Sequence, residues 1–194
     1  MILSNREIHA ALDAGLLSIA PEPAPRQPDD DGECPYATSA VDLTLGREVS
    51  WLKKGMPISI DLRHGKFREL FTEGNSERRE ITEEQGYLLQ PHQFVLGKTA
   101  EYIRLPIVPD QPCLAARVEG KSSYARCGLL VHFTAPTIHS GFEGTITLEM
   151  MNFGDYAIAL HPGLPICQLI IEKVDGQPLP RQSQFQGQTT PGGR

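Results

Sequence analysis

From Ser39 onward, apolar and polar residues alternate with period two in a series of short runs, the pattern of strands with one buried face. The first run is Val41-Asp42-Leu43-Thr44-Leu45. Others are Ile58-Ser59-Ile60-Asp61-Leu62, Gly86-Tyr87-Leu88-Leu89, Phe94-Val95-Leu96-Gly97 and Cys113-Leu114-Ala115-Ala116-Arg117-Val118. Further runs cover residues 129–133, 144–150, 156–160 and 165–171. Turn residues separate them at spacings of roughly ten, as in a sandwich or jelly roll. Two segments break the pattern. Residues 4–15 read as a helix: Ser4 and Asn5 are candidate N-caps, Glu7 lies in the first turn, and Gly15 is a stop. Ile8, Ala11 and Leu12 give it one apolar face. Residues 122–128 (SSYARCG) read as a short helix near 122–127, entered by serine caps and ended by Gly128. The expected fold is mainly β with these two short helices.

Residues 21–37 hold five prolines and three consecutive aspartates, the composition of a loop insertion. The tail from Gly176 is rich in Gln, Pro and Gly and cannot by itself bury enough apolar surface to fold. It is expected to be mobile, or ordered only by a ligand or a neighbouring subunit. The chain therefore divides into one domain over 1–175 and a flexible tail over 176–194. No internal repeat is visible.

Charge and cysteines narrow the function classes. The net charge of −6 argues against a nucleic-acid surface. It leaves room for a small anionic ligand, which needs only a few local cations and N–H groups. No apolar run approaches the roughly 20 residues that span a bilayer, and the N-terminus carries no signal core, so a cytoplasmic protein without a membrane partner is expected. The four cysteines, Cys34, Cys113, Cys127 and Cys167, lie far apart, with no C-x-x-C pair. Buried reduced thiols are the plain reading.

Two clusters carry candidate chemistry. In Val118-Glu119-Gly120-Lys121-Ser122-Ser123-Tyr124-Ala125-Arg126-Cys127-Gly128, a glycine precedes Lys-Ser-Ser at the start of a helix. Free N–H groups, hydroxyls and a lysine make a phosphate cradle; an ordinary capped helix has the same pattern. The spacing is not that of a P-loop. In the second cluster, residues 134–144 (TAPTIHSGFEG) lead into Thr145-Ile146-Thr147-Leu148-Glu149-Met150. By alternation Glu149 either faces solvent or faces a pocket. In a pocket, burial suits it to proton transfer.

The segment GKSSYARCGLLVHFTAPTIHSGFEGTITLEMMN resembles the signature of dCTP deaminases, members of the dUTPase-like superfamily. MILSNREIHAALDAGLLSI, SAVDLTLG, LLQPHQFVLGKTAEYIRLP, HPGLPICQLI and FQGQ are similar to other blocks of that family. The resemblance implies a dUTPase-like distorted jelly roll or β-barrel, assembled as a homotrimer with active sites at subunit interfaces. It implies hydrolysis of dCTP to dUTP and ammonia, without zinc and with Mg²⁺ carried by the triphosphate. By position, Glu149 matches the catalytic glutamate. Ser122 and Arg126 match residues that hold and polarise the attacking water and the cytosine. Ala135 matches a backbone carbonyl on that water. Lys121, Ser122 and Ser123 match phosphate contacts, Thr147 and Leu148 flank Glu149 in the nucleoside-binding segment, and Gln168 and Gln188 match nucleotide contacts.

The chemistry is coherent. Water needs a base at neutral pH, while ring N3 and the leaving amine need protons, and one carboxylate can serve all three. Nucleobase deaminases that use zinc carry H-x-E and P-C-x-x-C motifs, neither of which occurs here. Three departures stand out: His139 replaces a usual Asp, Pro136 stiffens the turn after Ala135, and Gln184-Phe185 stands where a Lys-Tyr pair is common. The Asp position serves the α–β phosphate hydrolysis of dUTPases, so His139 points to dUTP as the product. The alternatives are a bifunctional deaminase and diphosphatase forming dUMP, a plain dUTPase, and a non-catalytic nucleotide sensor.

Overall fold

A computed structural model describes every residue except 58, 62, 64–66, 73, 181–184, 193 and 194. Helix α1 (Asn5–Asp13) comes first, followed by β1 (Ser18–Ala20), β2 (Tyr36–Ala37), β3 (Ala40–Thr44) and β4 (Glu48–Leu52). After a 3₁₀ turn at Phe67–Phe71 come β5 (Ser76–Glu80), β6 (Tyr87–Leu89), β7 (Phe94–Arg104) and β8 (Cys113–Gly120). Helix α2 (Ser122–Ala125) precedes β9 (Leu129–Val131), β10 (Thr137–Ile138), β11 (Glu143–Asn152), β12 (Ile158–Leu160) and β13 (Pro165–Val174).

The strands form a six-stranded sheet, β5-β4-β7-β11-β9 with β1 also on β7, and a five-stranded sheet, β10-β8-β13-β3-β2. A small β12-β6 pair stands apart, and the sheets do not close into one barrel. The long strands alternate as their sequences require. On β11, Ile146, Leu148 and Met150 are buried while Thr147, Glu149 and Met151 are not. They meet Val41, Leu43, Val118, Leu169 and Ile171 of the five-stranded sheet in one apolar core. The fold is thus the mainly β, jelly-roll-like arrangement expected. Among the described residues no helix is long and apolar enough to cross a membrane.

Local expectations meet the structure unevenly. The Ser4 side chain caps α1 by accepting from Glu7 N at 3.4 Å, and Gly15 follows in the left-handed region at φ 71°. The strand expected at 58–62 is absent at Ser59–Asp61, while Ile58 and Leu62 lie outside the described residues. The polar strand β5 was not visible as a period-two run, because both of its faces are largely exposed; its partner β4 was passed over although Val49 is buried. Segment 21–37 ends in β2, and its Tyr36 ring packs on His9 with centroids 4.4 Å apart. Residues 185–192 of the tail include a docked stretch. Thr145 N donates to Gln188 O at 2.9 Å, Gln188 Nε2 donates to Thr145 O at 2.8 Å, and Gly187 N donates to Glu143 O at 2.7 Å. These bonds, made within one chain, depend on an unpaired stretch of β11 edge that composition does not reveal.

A buried carboxylate joins the two sheets. Glu101 on β7 is only 4% exposed and accepts from Thr44 N of β3 at 3.0 Å and from Thr44 Oγ1 at 2.7 Å. Burial raises its pKa, and the bonds from Thr44 oppose that shift. Truncating it leaves two half-buried Thr44 donors without their partner. Glu101→Ala is expected to cost about 3 kcal/mol in urea unfolding, and Glu101→Gln less than half of that. With the folded pKa above the unfolded one, the carboxyl's contribution is largest in acid and declines as pH rises through the folded value, so the Gln penalty shrinks toward neutrality. A loss below about 1 kcal/mol for the Ala variant contradicts the role given to this bond.

Candidate active site

The face of β11 turned away from the core presents Thr147, Glu149 and Met151 in succession. A register shift between Thr145 and Thr147 against β7 resets that alternation just before the glutamate. Glu149 is paired across to Leu96, and its side chain is 34% exposed. The solvent and pocket readings of Glu149 both contain part of the answer. The side chain leaves the core, but the segment after β9 folds back over it. Phe94, Phe133, Thr134, Ala135, Glu149 and Met151 line a cleft of about 470 Å³. The Phe94 and Phe133 rings lie 5.8 Å apart at 58° and are both 44% exposed, so an apolar wall faces the carboxylate.

His132 was missed in the sequence and is the residue closest to Glu149 chemically. It adopts φ 63°, a conformation that few non-glycine residues take. Its N–H donates to Glu149 O at 2.8 Å. Its ring, with a side chain only 6% exposed, places Nδ1 2.7 Å from Glu149 Oε2 and Nε2 2.8 Å from Ala135 O. The Nδ1 approach is off the line of the ring N–H, so its attraction to the carboxylate is mainly ionic. Burial pulls the imidazole pKa down, but the Glu149 carboxylate and the Ala135 carbonyl outweigh it, and the net direction is up.

A second cluster sits on the five-stranded sheet. The Lys121 ammonium contacts Asp42 Oδ2, and Gln168 Nε2 donates to Asp42 Oδ1 at 3.2 Å. Lys121 and Gln168 are thus brought together around an aspartate that the sequence reading passed over. Its signal was there: Asp42 and Thr44 are the polar positions of the first alternating run. Buried Cys167 lies beside this cluster, and burial drives its thiol pKa well up, which makes it an inert thiol.

The remaining expected residues are placed differently. Ser122, Ser123 and Arg126 are exposed on and after α2, and among the described residues Arg126 has no ion-pair partner and none of the three bonds to Glu149. Leu148 is fully buried, so its side chain belongs to the core and only its backbone faces the site. Thr147 Oγ1 is buried without a hydrogen-bond partner. His139 is exposed on the turn before β11, where its carbonyl accepts from Phe142 N at 3.1 Å. Gln188 is 5% exposed against Thr145, four residues before Glu149. Gln184 lies outside the described residues, whereas Phe185 accepts from Gln188 N at 3.3 Å through its carbonyl.

A larger open groove of about 910 Å³ shares no residue with the Glu149 cleft. Arg47, Glu48, Arg78, Glu80, Glu83 and Lys98 interleave opposite charges along it, and Arg47 pairs with Glu83 at 2.9 Å. Such mutual neutralisation favours neither charge sign in a ligand. The smaller cleft holds the Glu149 carboxylate, with the His132 ring against it, and is the candidate site. Among the described residues no three His, Cys, Asp or Glu side chains group closely enough to hold a metal ion.

Comparison with known proteins identifies the family. A family model described as dCTP deaminase-like matches residues 2–174. A Sulfurihydrogenibium protein named dCTP deaminase, dUMP-forming, is 38% identical over 97% of this chain and 93% of its own. A protein of the same name from Dictyoglomus thermophilum is 38% identical over 90% of this chain and 81% of its own. A Natronomonas pharaonis protein named dCTP deaminase is 36% identical over 98% of this chain and 92% of its own. The crystal structure of 2′-deoxycytidine 5′-triphosphate deaminase from Agrobacterium tumefaciens shares the fold, with a TM-score of 0.59 at 17% identity over 90% of this chain and 48% of that longer one. With the family model spanning residues 2–174 and relatives 38% identical over nearly the whole chain, the chain belongs to the dCTP deaminase-like family of enzymes.

Proposed function

We propose that this protein deaminates dCTP and carries the product on to dUMP. The observation behind the deamination is Glu149, set on the outward face of β11 in an aromatic-walled cleft with the Ala135 carbonyl at its rim. In this reading Glu149 takes a proton from water as the water oxygen attacks C4, and passes it to N3. The second water proton goes to the amine, the C4–N bond breaks, and ammonia leaves. The reading needs no zinc. Mg²⁺ comes in on the triphosphate as part of the substrate.

The second step replaces the expectation that dUTP is released. Two of the relatives named above are dUMP-forming, and His139 alone does not outweigh them. A second water attacks the α-phosphorus and displaces pyrophosphate. The exposed His139 imidazole has room to face the nucleotide and can accept a proton in its neutral form. Release of dUTP stays as the second reading, favoured by histidine standing in the place of the usual Asp.

The same reading includes assembly into a trimer. Exposed Ser122, Ser123 and Arg126 do not meet Glu149 within one chain, while exposed Phe94, Phe133 and Leu130 leave apolar surface beside it. A neighbouring subunit supplying α2 brings water-holding and phosphate-binding groups to each cleft and covers that surface. Lys121, Ser122, Ser123 and Gln168 then serve the phosphates, and Thr147, Gln188 and the Leu148 backbone serve the nucleoside. A cytoplasmic location fits this metabolism.

Three measurements check these points. In a time course with dCTP and Mg²⁺, pyrophosphate is expected in step with ammonia and without accumulating dUTP; dUTP building up without pyrophosphate restores the second reading, and no ammonia at all rejects both. Glu149→Gln is expected to lower turnover by about 10²–10⁴-fold with dCTP affinity and unfolding midpoint retained; a variant keeping a tenth of the activity removes Glu149 as the base. Mixing inactive Glu149→Gln with inactive Arg126→Ala under subunit exchange is expected to restore part of the activity, because some mixed trimers hold an intact site. No recovery places both residues in one chain's site.

A further inference from the structure

We propose that His132 is a positioning residue for Glu149, its imidazolium holding the carboxylate by the ionic contact at Nδ1 and the Ala135 carbonyl by the hydrogen bond from Nε2. The inference rests on Glu149 being the base. Ala135 O can only accept, so Nε2 at 2.8 Å must carry a hydrogen. Nδ1 then faces Glu149 Oε2 at 2.7 Å. Without another proton, two lone pairs would oppose each other at that distance. One proton therefore belongs to the pair, as imidazolium beside carboxylate or as imidazole beside carboxylic acid. The off-line ionic approach favours the first form.

The backbone is built for this contact. The left-handed turn at His132 comes straight after β9, and the N–H of His132 is itself bonded to Glu149 O. Main chain and side chain of one residue thus engage main chain and side chain of the other. His132 also fixes the turn that presents Ala135, because its ring bonds that residue's carbonyl. The charged groups that face the ring are Glu149 on β11 and Glu119 at the end of β8, both acidic. Phe94 of β7 and Met151 of β11 carry no charge. The environment favours imidazolium, which persists from acid up to the raised pKa and is lost as pH rises through it. Beyond that point the carboxylate loses its counter-charge and its fixed orientation.

His132→Asn is the informative variant, because asparagine tolerates positive φ and keeps an N–H donor near Glu149 without a titrating group. In wild type, kcat is expected to fall on the alkaline side. In the Asn variant that alkaline limb disappears, and kcat at neutral pH drops about tenfold with KM for dCTP within about twofold, the mark of a misplaced catalytic group. A variant with wild-type kcat and an unchanged alkaline limb overturns the proposal, as does a faster one. The second measurement needs no turnover. An NMR titration of the His132 ring nitrogens in the intact protein is expected to show a midpoint that moves down in Glu149→Gln; a midpoint indifferent to that substitution also overturns the pairing. If wild type releases no ammonia from dCTP, the functional reading fails, while the titration still decides whether imidazolium and carboxylate are paired.

Discussion

The bond from Thr44 to Glu101 is the constraint on which the rest of the arrangement depends. It buries a carboxylate between two sheets and satisfies it with donors from the opposite one. The connection runs further. Thr99 Oγ1 donates to Glu101 O at 2.8 Å and accepts from Ile146 N at 2.9 Å, at the register shift of β11. A continuous path thus leads from β3 through β7 to β11. Two residues along β3 from Thr44 stands Asp42, which gathers Lys121 and Gln168; three residues along β11 from Ile146 stands Glu149. The Asp42 cluster and Glu149 are placed relative to each other by one buried polar path, which is costly to leave half satisfied.

The two halves of the site obey different physics. The Asp42 cluster lies on the polar face of regular strands, where cross-strand register decides which side chains meet. The Glu149 cleft is made by departure from regularity. A register shift re-aims β11, a left-handed residue ends β9, and the following turn folds back over the outward face. Aromatic groups then wall the carboxylate on one side and leave it open on the other. Ser122 and Arg126 are exposed away from that open side.

The period-two runs of 41–45, 113–118, 144–150 and 165–171 were legible because their strands carry one face in the core. The capped α1 was legible for an equally local reason, a serine bonded to the first turn. What lacked such a face was lost: β5 is polar on both sides, and β1, β2 and β10 hold only two or three residues each. At the site, Glu149 was found through its family motif, but its partner was not. His132 sits in an apolar run that reads as plain strand, and nothing in the letters VHFTA announces a positive φ. The docked tail escaped for a related reason. Gln188 earns its burial by bonding backbone groups of a distant strand, a long-range match that composition cannot contain.

The central claim is that a water activated in the Glu149 cleft attacks C4 of the pyrimidine. Turnover of dCTP in water enriched in oxygen-18 tests it most directly, read by mass spectrometry of the nucleotide product. The account predicts heavy oxygen at C4 of the base, incorporated by wild type and not by the Glu149→Gln protein. A nucleotide product whose base carries no heavy oxygen, or label entering C4 equally fast without the carboxylate, would contradict it.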